Sequence, residues 1–251
     1  MKLACLFSGG KDSCLALHKV LAEGHEVVCL LNVFPSNEDS FMFHKPFVNL
    51  LRRQAEELGI ELVVGRSEGE KEKELDDLRK LVEKVSENIE GVVVGGIASS
   101  YQGSRIKKIC EGLGLEFVAP LWDYSPEDVW GELLRDGFEV VMTRVACDGI
   151  GREWVGRVIN EENFEKLKEL GKKYRFRIDF EGGEAESVVL NMPGFGSKID
   201  IDFDVEQWYR ILHEIERPIK YDPDGTHKMT EEEYLQYLIE QRKKESEEDD
   251  R

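Results

Sequence analysis

Five short, uninterrupted apolar runs limit what this chain can fold into: KLACLF (2–7), EVVCLLNV (26–33), IELVVG (60–65), GVVVGG (91–96) and EFVAPL (116–121). Runs of this length, rich in β-branched residues, suit strands covered on both faces of a parallel sheet. The segments between them change period. Phe47, Leu50, Leu51, Ala55 and Leu58 fall on one helical face, with Pro46 at its start. Leu75, Leu78, Val82 and Val85 do the same, as do Ile106, Ile109, Cys110 and Leu113. Repeated βα units predict an open, mostly parallel, Rossmann-like α/β sheet with helices on both faces and right-handed crossovers.

The rhythm changes near residue 125. Ser125 and Pro126 read as the N-cap and first turn of a helix. A strand is expected over 138–147, a helix over 159–174, and strands over 186–192 and 198–205. The expected organisation is therefore a nucleotide-type domain over 1–125, a smaller α+β domain over 126–225, and a C-terminal helix with a charged tail over 226–251.

Charge narrows the function classes. The net charge of −18 opposes nonspecific nucleic-acid binding, so no stable nucleic-acid partner is expected. Charges or glycines interrupt every apolar stretch before it reaches membrane-spanning length, so no membrane partner is expected either. The first residues read as a strand rather than a signal peptide, which predicts a cytoplasmic protein. The five cysteines are scattered without a C-x-x-C pair and read as small apolar residues in a reducing compartment. The oligomeric state stays open, a homodimer included.

The first apolar run leads directly into Ser8-Gly9-Gly10-Lys11-Asp12-Ser13 and then into a helical pattern. Strand, glycine-rich turn and helix make an anion site, because glycines admit a close ligand and the helix start presents free N–H groups. Ser8 and Ser13 add hydroxyls and Lys11 a cation; Asp12 suits Mg²⁺ or a helix cap. Neither the G-x-x-x-x-G-K-[ST] loop nor the G-x-G-x-x-G fingerprint is present.

SGGKDS resembles the PP-loop of the N-type ATP pyrophosphatases, which cleave ATP between the α- and β-phosphates. Three further stretches, DSFMFHKP (39–46), GGIASSYQGSRIKKIC (95–110) and EGGEAESVVLNMP (181–193), together with PLW (120–122), resemble the diphthine–ammonia ligase family in its short archaeal-type form, over roughly residues 1–200. The resemblance implies ATP- and ammonium-dependent amidation of diphthine on translation elongation factor 2, releasing AMP and pyrophosphate. It implies ATP and Mg²⁺ as cofactors. Ala185 departs from the family's aromatic, Ser187 from its threonine, and Asn191 from its frequent aspartate. The alternatives are another adenylating PP-loop enzyme, for tRNA modification or small-molecule amide ligation, or a non-catalytic ATP-binding protein. The absent C-x-x-C pairs weigh against the former, and the intact Lys11, Asp12 and Ser13 against the latter. No glutaminase module is visible, so free ammonium is the expected nitrogen source.

On this reading Ser8, Gly9, Gly10, Lys11, Asp12 and Ser13 meet the phosphates, with Asp12 as the metal ligand. Asn32 and Val33, at a strand end, present backbone to adenine. His44, in the resembling SFMFH context, meets phosphates or the reacting carboxylate. Gly96, Ile97, Ala98 and Ser99 line the same sheet edge. Tyr101 and Gln102 open the next helix beside Arg105, which offers a bidentate contact to the α-phosphate or a substrate carboxylate. Glu181, Gly182, Gly183, Glu184 and Glu186 form an anionic turn suited to diphthine's trimethylammonium group, with Trp122 or Tyr101 as aromatic partner. Its carboxylates, Glu184 and Glu186 among them, also suit deprotonation of ammonium.

Overall fold

The computed structural model describes residues 1–35, 48–67, 73–96 and 100–200, with the backbone alone at 35, 48, 49, 73 and 100–102. These residues belong to one compact unit, Met1–Val205. A second unit, Glu206–Arg251, lies outside the described residues, and with it the expected C-terminal helix and tail.

Strands β1 (Lys2–Leu6), β2 (Glu26–Pro35), β3 (Glu61–Ser67), β4 (Gly91–Val93) and β5 (Glu116–Val118) form one sheet in the order β3-β2-β1-β4-β5, parallel throughout. Helices α1 (Lys11–Ala22), α2 (Val48–Leu58), α3 (Lys73–Glu83) and α4 (Ser100–Gly112) connect them. Side chains alternate across β1 and so feed two cores. Leu3, Cys5 and Phe7 join Leu15 and Leu17 of α1 and Leu51 and Ala55 of α2. Ala4 joins Leu78, Leu81 and Val82 of α3 with Ile106 and Cys110 of α4. The helices thus cover both faces, as the sequence predicts.

Burial on both faces holds for the middle of the sheet and fails at its edges. In β3, Leu62 and Val63 are half-buried and Val64 is exposed; in β5, Phe117 and Val118 are half-buried. An edge strand has one neighbour and one open flank, which the run of apolar residues does not reveal. β5 also stops at Val118, short of the expected 121, just before Pro120, which has no N–H for a ladder.

The second sheet pairs β6 (Glu139–Val145) antiparallel with β7 (Ala185–Asn191), accompanied by α5 (Pro126–Arg135) and α6 (Glu161–Tyr174). Ser125 caps α5 in a reciprocal box: its Oγ accepts from Asp128 N–H at 3.1 Å, while Asp128 accepts from Ser125 N–H at 3.0 Å. Asn160 caps α6 by accepting from Asn163 N–H at 2.9 Å. Trp130 is fully buried, edge-on to Phe180 and tilted against Phe164, and donates its indole N–H to Ile178 O at 2.7 Å. This aromatic core is continuous with that of α1. Of the strand expected over 198–205, only 198–200 are described, where Ile199 N–H donates to Leu190 O at 2.9 Å. Among the described residues no helix is long and apolar enough to cross a membrane.

Candidate active site

The order β3-β2-β1-β4-β5 reverses winding direction between β1 and β4, and the crevice beyond the carboxyl ends of such strands is where open α/β sheets take ligands. A cavity of about 460 Å³ lies there. Its floor comes from Phe7, Ser8, Gly10 to Ser13, Asn32, Val33, Gly95 and Gly96, and one wall from α2. The opposite wall is Thr143, Arg144, Glu181, Glu186 and Ser187 of the second sheet and the turn before it.

The glycine-rich turn is held together by its own hydroxyls. Gly10 is the N-cap of α1, with no side-chain cap. Ser13 Oγ accepts from Ser8 N–H at 3.2 Å, lies 3.1 Å from Ser8 Oγ and donates to Gly10 O at 3.1 Å, tying the loop into a ring. Gly9 adopts φ +75°, and a β-carbon there would fall 2.2 Å from Gln54 Oε1. A β-carbon at Gly95 would fall 2.7 Å from Ser13 N, so the end of β4 runs against the bare start of α1.

Lys11 is almost wholly buried, 2.6 Å from Asp12 Oδ2 and 5.6 Å from the centre of the Phe180 ring. Burial pushes the Asp12 carboxyl up and Lys11 opposes that shift. Asp12 Oδ1 is buried without a hydrogen-bond partner. An orphaned carboxylate oxygen facing a phosphate-type loop fits a hard divalent cation. Among the described residues no group of three or more His, Cys, Asp or Glu side chains is placed to hold a metal ion.

The turn before β7 is braced around a second buried carboxylate. Asp179 accepts from Arg177 at 2.9 and 2.5 Å and from Glu181 N–H at 3.2 Å. Burial raises its pKa, but those bonds outweigh burial and hold it below the ordinary range. Phe180, buried, takes φ +63°, a conformation uncommon for a bulky residue, and places its ring by Lys11. Glu181 is exposed as a residue, yet its carboxyl is pushed up by partial desolvation and by Asp12. Glu184 braces the turn: it accepts from Gly182 N–H at 2.9 Å and Arg177 N–H at 3.2 Å.

The structure therefore gathers Ser8, Gly10, Lys11, Asp12, Ser13, Asn32, Val33, Gly96, Glu181, Gly183 and Glu186 around one cavity. Gly9 lies behind the loop, its carbonyl accepting from Gln54 Nε2 and Val189 N–H, each at 3.0 Å. Gly182, Glu184, Arg105 and Trp122 are not among the lining residues. Arg105 is half-buried on α4, and Trp122 lays its ring on Gly103 and edge-on to Phe117. His44, Ile97, Ala98 and Ser99 lie outside the described residues, as do the side chains of Tyr101 and Gln102.

Sequence reasoning missed Gln54, Thr143, Arg144 and Phe180 as lining residues, and took Ser187 only as a departure from a pattern. Gln54 left a signal: it stands on the same α2 face as Leu50, Leu51 and Leu58. Its Nε2 donates to Gly9 O at 3.0 Å and Val189 O at 2.7 Å. Val189 N–H donates to Gly9 O, and Lys11 N–H to Ser187 Oγ at 3.3 Å, so β7 is fastened to the phosphate-type loop.

A doubly covered parallel sheet with the SGGKDS loop at its switch point defines an α/β protein with a phosphate-type loop at the ligand edge of its sheet. Family models narrow this: the Diphthamide synthase N-terminal domain matches residues 1–117 and the Diphthamide synthase C-terminal domain residues 125–220. The chain is 35% identical over 224 residues to the diphthine–ammonia ligase of Rattus norvegicus and 33% to that of Homo sapiens, covering 80% of this chain and 83% of each relative. It is 28% identical over 230 residues to that of Saccharomyces cerevisiae, covering 78% of this chain and 33% of the longer relative. The chain belongs to the diphthine–ammonia ligase family, a family of ligases.

Proposed function

We propose that this protein amidates the carboxylate of diphthine on translation elongation factor 2, with ATP as co-substrate, free ammonium as nitrogen source, and AMP and pyrophosphate as products. Family membership supports the reaction. The observation that carries its chemistry is one cavity shared by Lys11, Asp12 and Ser13, at the start of α1, and Glu181 and Glu186, around the second sheet. A reaction that joins an anionic acceptor to a polyphosphate needs positioning and charge neutralisation more than an enzyme nucleophile. The described cysteines fit that reading: burial raises the Cys5 and Cys14 thiols well above their ordinary range.

The SGGKDS loop holds the departing pyrophosphate through Ser8, Ser13, the N–H groups of the turn and Lys11. Asp12 would hold Mg²⁺, which would supply neutralisation of phosphate charge. The acceptor carboxylate oxygen attacks the α-phosphorus as the bond to pyrophosphate breaks. Ammonia then attacks the acyl carbon and AMP leaves. Ammonium loses protons in that step, and Glu181, with its raised carboxyl pKa beside Asp12, accepts one. Asn32 and Val33 serve the adenosine half. The part of the chain from residue 126 onward carries the acceptor.

The test incubates the purified protein with Mg-ATP, ammonium and diphthine-bearing elongation factor 2, following AMP and the factor's mass together. AMP that forms only with that factor, with the mass change of a carboxyl OH becoming NH₂, supports the reading. ATP binding without change in the factor refutes the acceptor and leaves the loop assignment standing.

A further inference from the structure

The cavity holds an opposite-charge pair that the ATP chemistry does not use. Arg144 on β6 and Glu186 on β7 stand opposite each other in the ladder, with Nη1 and Oε1 3.4 Å apart, and both side chains line the cavity. The pair is not buried scaffolding: Arg144 is 50% exposed and Glu186 30% exposed. A half-exposed pair at 3.4 Å contributes little to fold stability. Lys11, the other cationic lining residue among those described, lies deep in the loop and is held by Asp12 at 2.6 Å. Arg105, which the sequence offers for a substrate carboxylate, is not among the lining residues.

We propose that Arg144 and Glu186 together read the zwitterionic head of the acceptor, Arg144 binding the reacting carboxylate and Glu186 facing the trimethylammonium group. The inference rests on the ligase reading and adds the residues that choose its substrate. In diphthine a carboxylate and a quaternary ammonium stand on one carbon. Two opposite charges side by side on the cavity wall complement that dipole in one orientation only. A guanidinium suits the carboxylate because it donates in parallel to both oxygens. The quaternary nitrogen has no N–H to offer, so charge is what Glu186 reads. The carboxylate must approach an anionic triphosphate, and a cation beside it offsets their repulsion. Amidation then removes the charge that Arg144 holds and leaves the cationic half, which weakens the product's hold on the site.

The experiment measures steady-state amidation of diphthine-bearing elongation factor 2, ATP affinity without the factor, and thermal stability, for the wild type and three variants. Arg144→Ala raises the acceptor KM roughly ten- to hundredfold, the loss expected for a charge-assisted contact. ATP affinity stays within about twofold. Arg144→Lys recovers part of the loss. The double exchange Arg144→Glu with Glu186→Arg rebuilds the cross-strand pair and its stability but reverses the dipole, so the acceptor KM stays high. Three results overturn the proposal: an unchanged acceptor KM in Arg144→Ala, an acceptor KM restored by the double exchange, or a loss confined to ATP affinity, which would assign the guanidinium to the phosphates. A wild-type protein that leaves the factor unmodified fails the ligase reading, and this inference falls with it.

Discussion

Replacing Gln54 with leucine tests whether β7 holds the phosphate loop in shape. Gln54 is fully buried, and its amide donates to two carbonyls, Gly9 O at 3.0 Å and Val189 O at 2.7 Å, which fixes Nε2 toward the backbone. Leucine has similar volume and no donor. Losing two neutral hydrogen bonds costs about 1 kcal/mol each, and a buried carbonyl left without its donor adds about 1–3 kcal/mol. Gly9 O keeps Val189 N–H, so the second cost falls on Val189 O. Against this, leucine removes Oε1, a buried acceptor without a partner. The net expectation is a loss of about 2–3 kcal/mol, or roughly 4–12 °C in Tm for a chain of this size. The same substitution frees the loop, so ATP affinity falls as well. Gln54→Glu sharpens the test, since it sets a carboxylate against two carbonyls. Burial raises the pKa of that carboxyl in the folded state, so its penalty grows as pH rises above the unfolded value of about 4.3 and shrinks at acid pH. Thermal melts across pH, with nucleotide titrations on folded protein, read both effects. A Gln54→Leu variant within about 0.5 kcal/mol of wild type and with unchanged ATP affinity would refute the argument.

Asp12→Asn keeps the shape and removes the charge, so AMP formation should fall roughly 10²–10³-fold with little change in Tm, as measured by AMP release. Gly95→Ala drives a β-carbon to 2.7 Å from Ser13 N, so it should lower Tm and ATP affinity together, read by melts and nucleotide titration. Arg177→Ala leaves the Asp179 carboxylate without its cation. In the wild type the lowered Asp179 pKa contributes stability that is present above the unfolded value of about 3.9 and lost as pH falls through the folded one. The variant should therefore be less stable than wild type at neutral pH, and the gap should narrow under acid; a gap constant across that range would exclude Asp179 as its cause.

The fold was legible because its signals are local. β-branched runs, helical faces and the Ser125–Asp128 capping box each lie within a few residues, and each reappears as an element. Strand order was less so. The βα rhythm predicts a parallel sheet, but not that the 60–65 and 116–121 runs become its edges. That depends on which crossovers reverse direction, a property of the whole chain.

The site divides along the same line. Ser8 to Ser13 were readable because one strand, one turn and one helix start carry the chemistry in consecutive residues. The opposite wall is assembled by pairing across the second sheet, where Arg144 meets Glu186 over 42 residues of sequence and Gln54 reaches Val189 over 135. Nothing local marks Arg144, one charge in an alternating strand. The EGGEAES turn was visible as an acidic cluster, but its carboxylates have separate fates. Glu186 faces the cavity, Glu181 lines it beside Asp12, and Glu184 closes the turn on backbone N–H groups. Identical side chains within six residues are sorted by backbone direction alone. Phe180 at positive φ and Gly183 set that direction, placing Glu181 and Glu186 on the side of Lys11. The hydrogen bonds from β7 to the loop then make the sorting matter, because they fix the acidic turn at a constant distance from the phosphate-type loop.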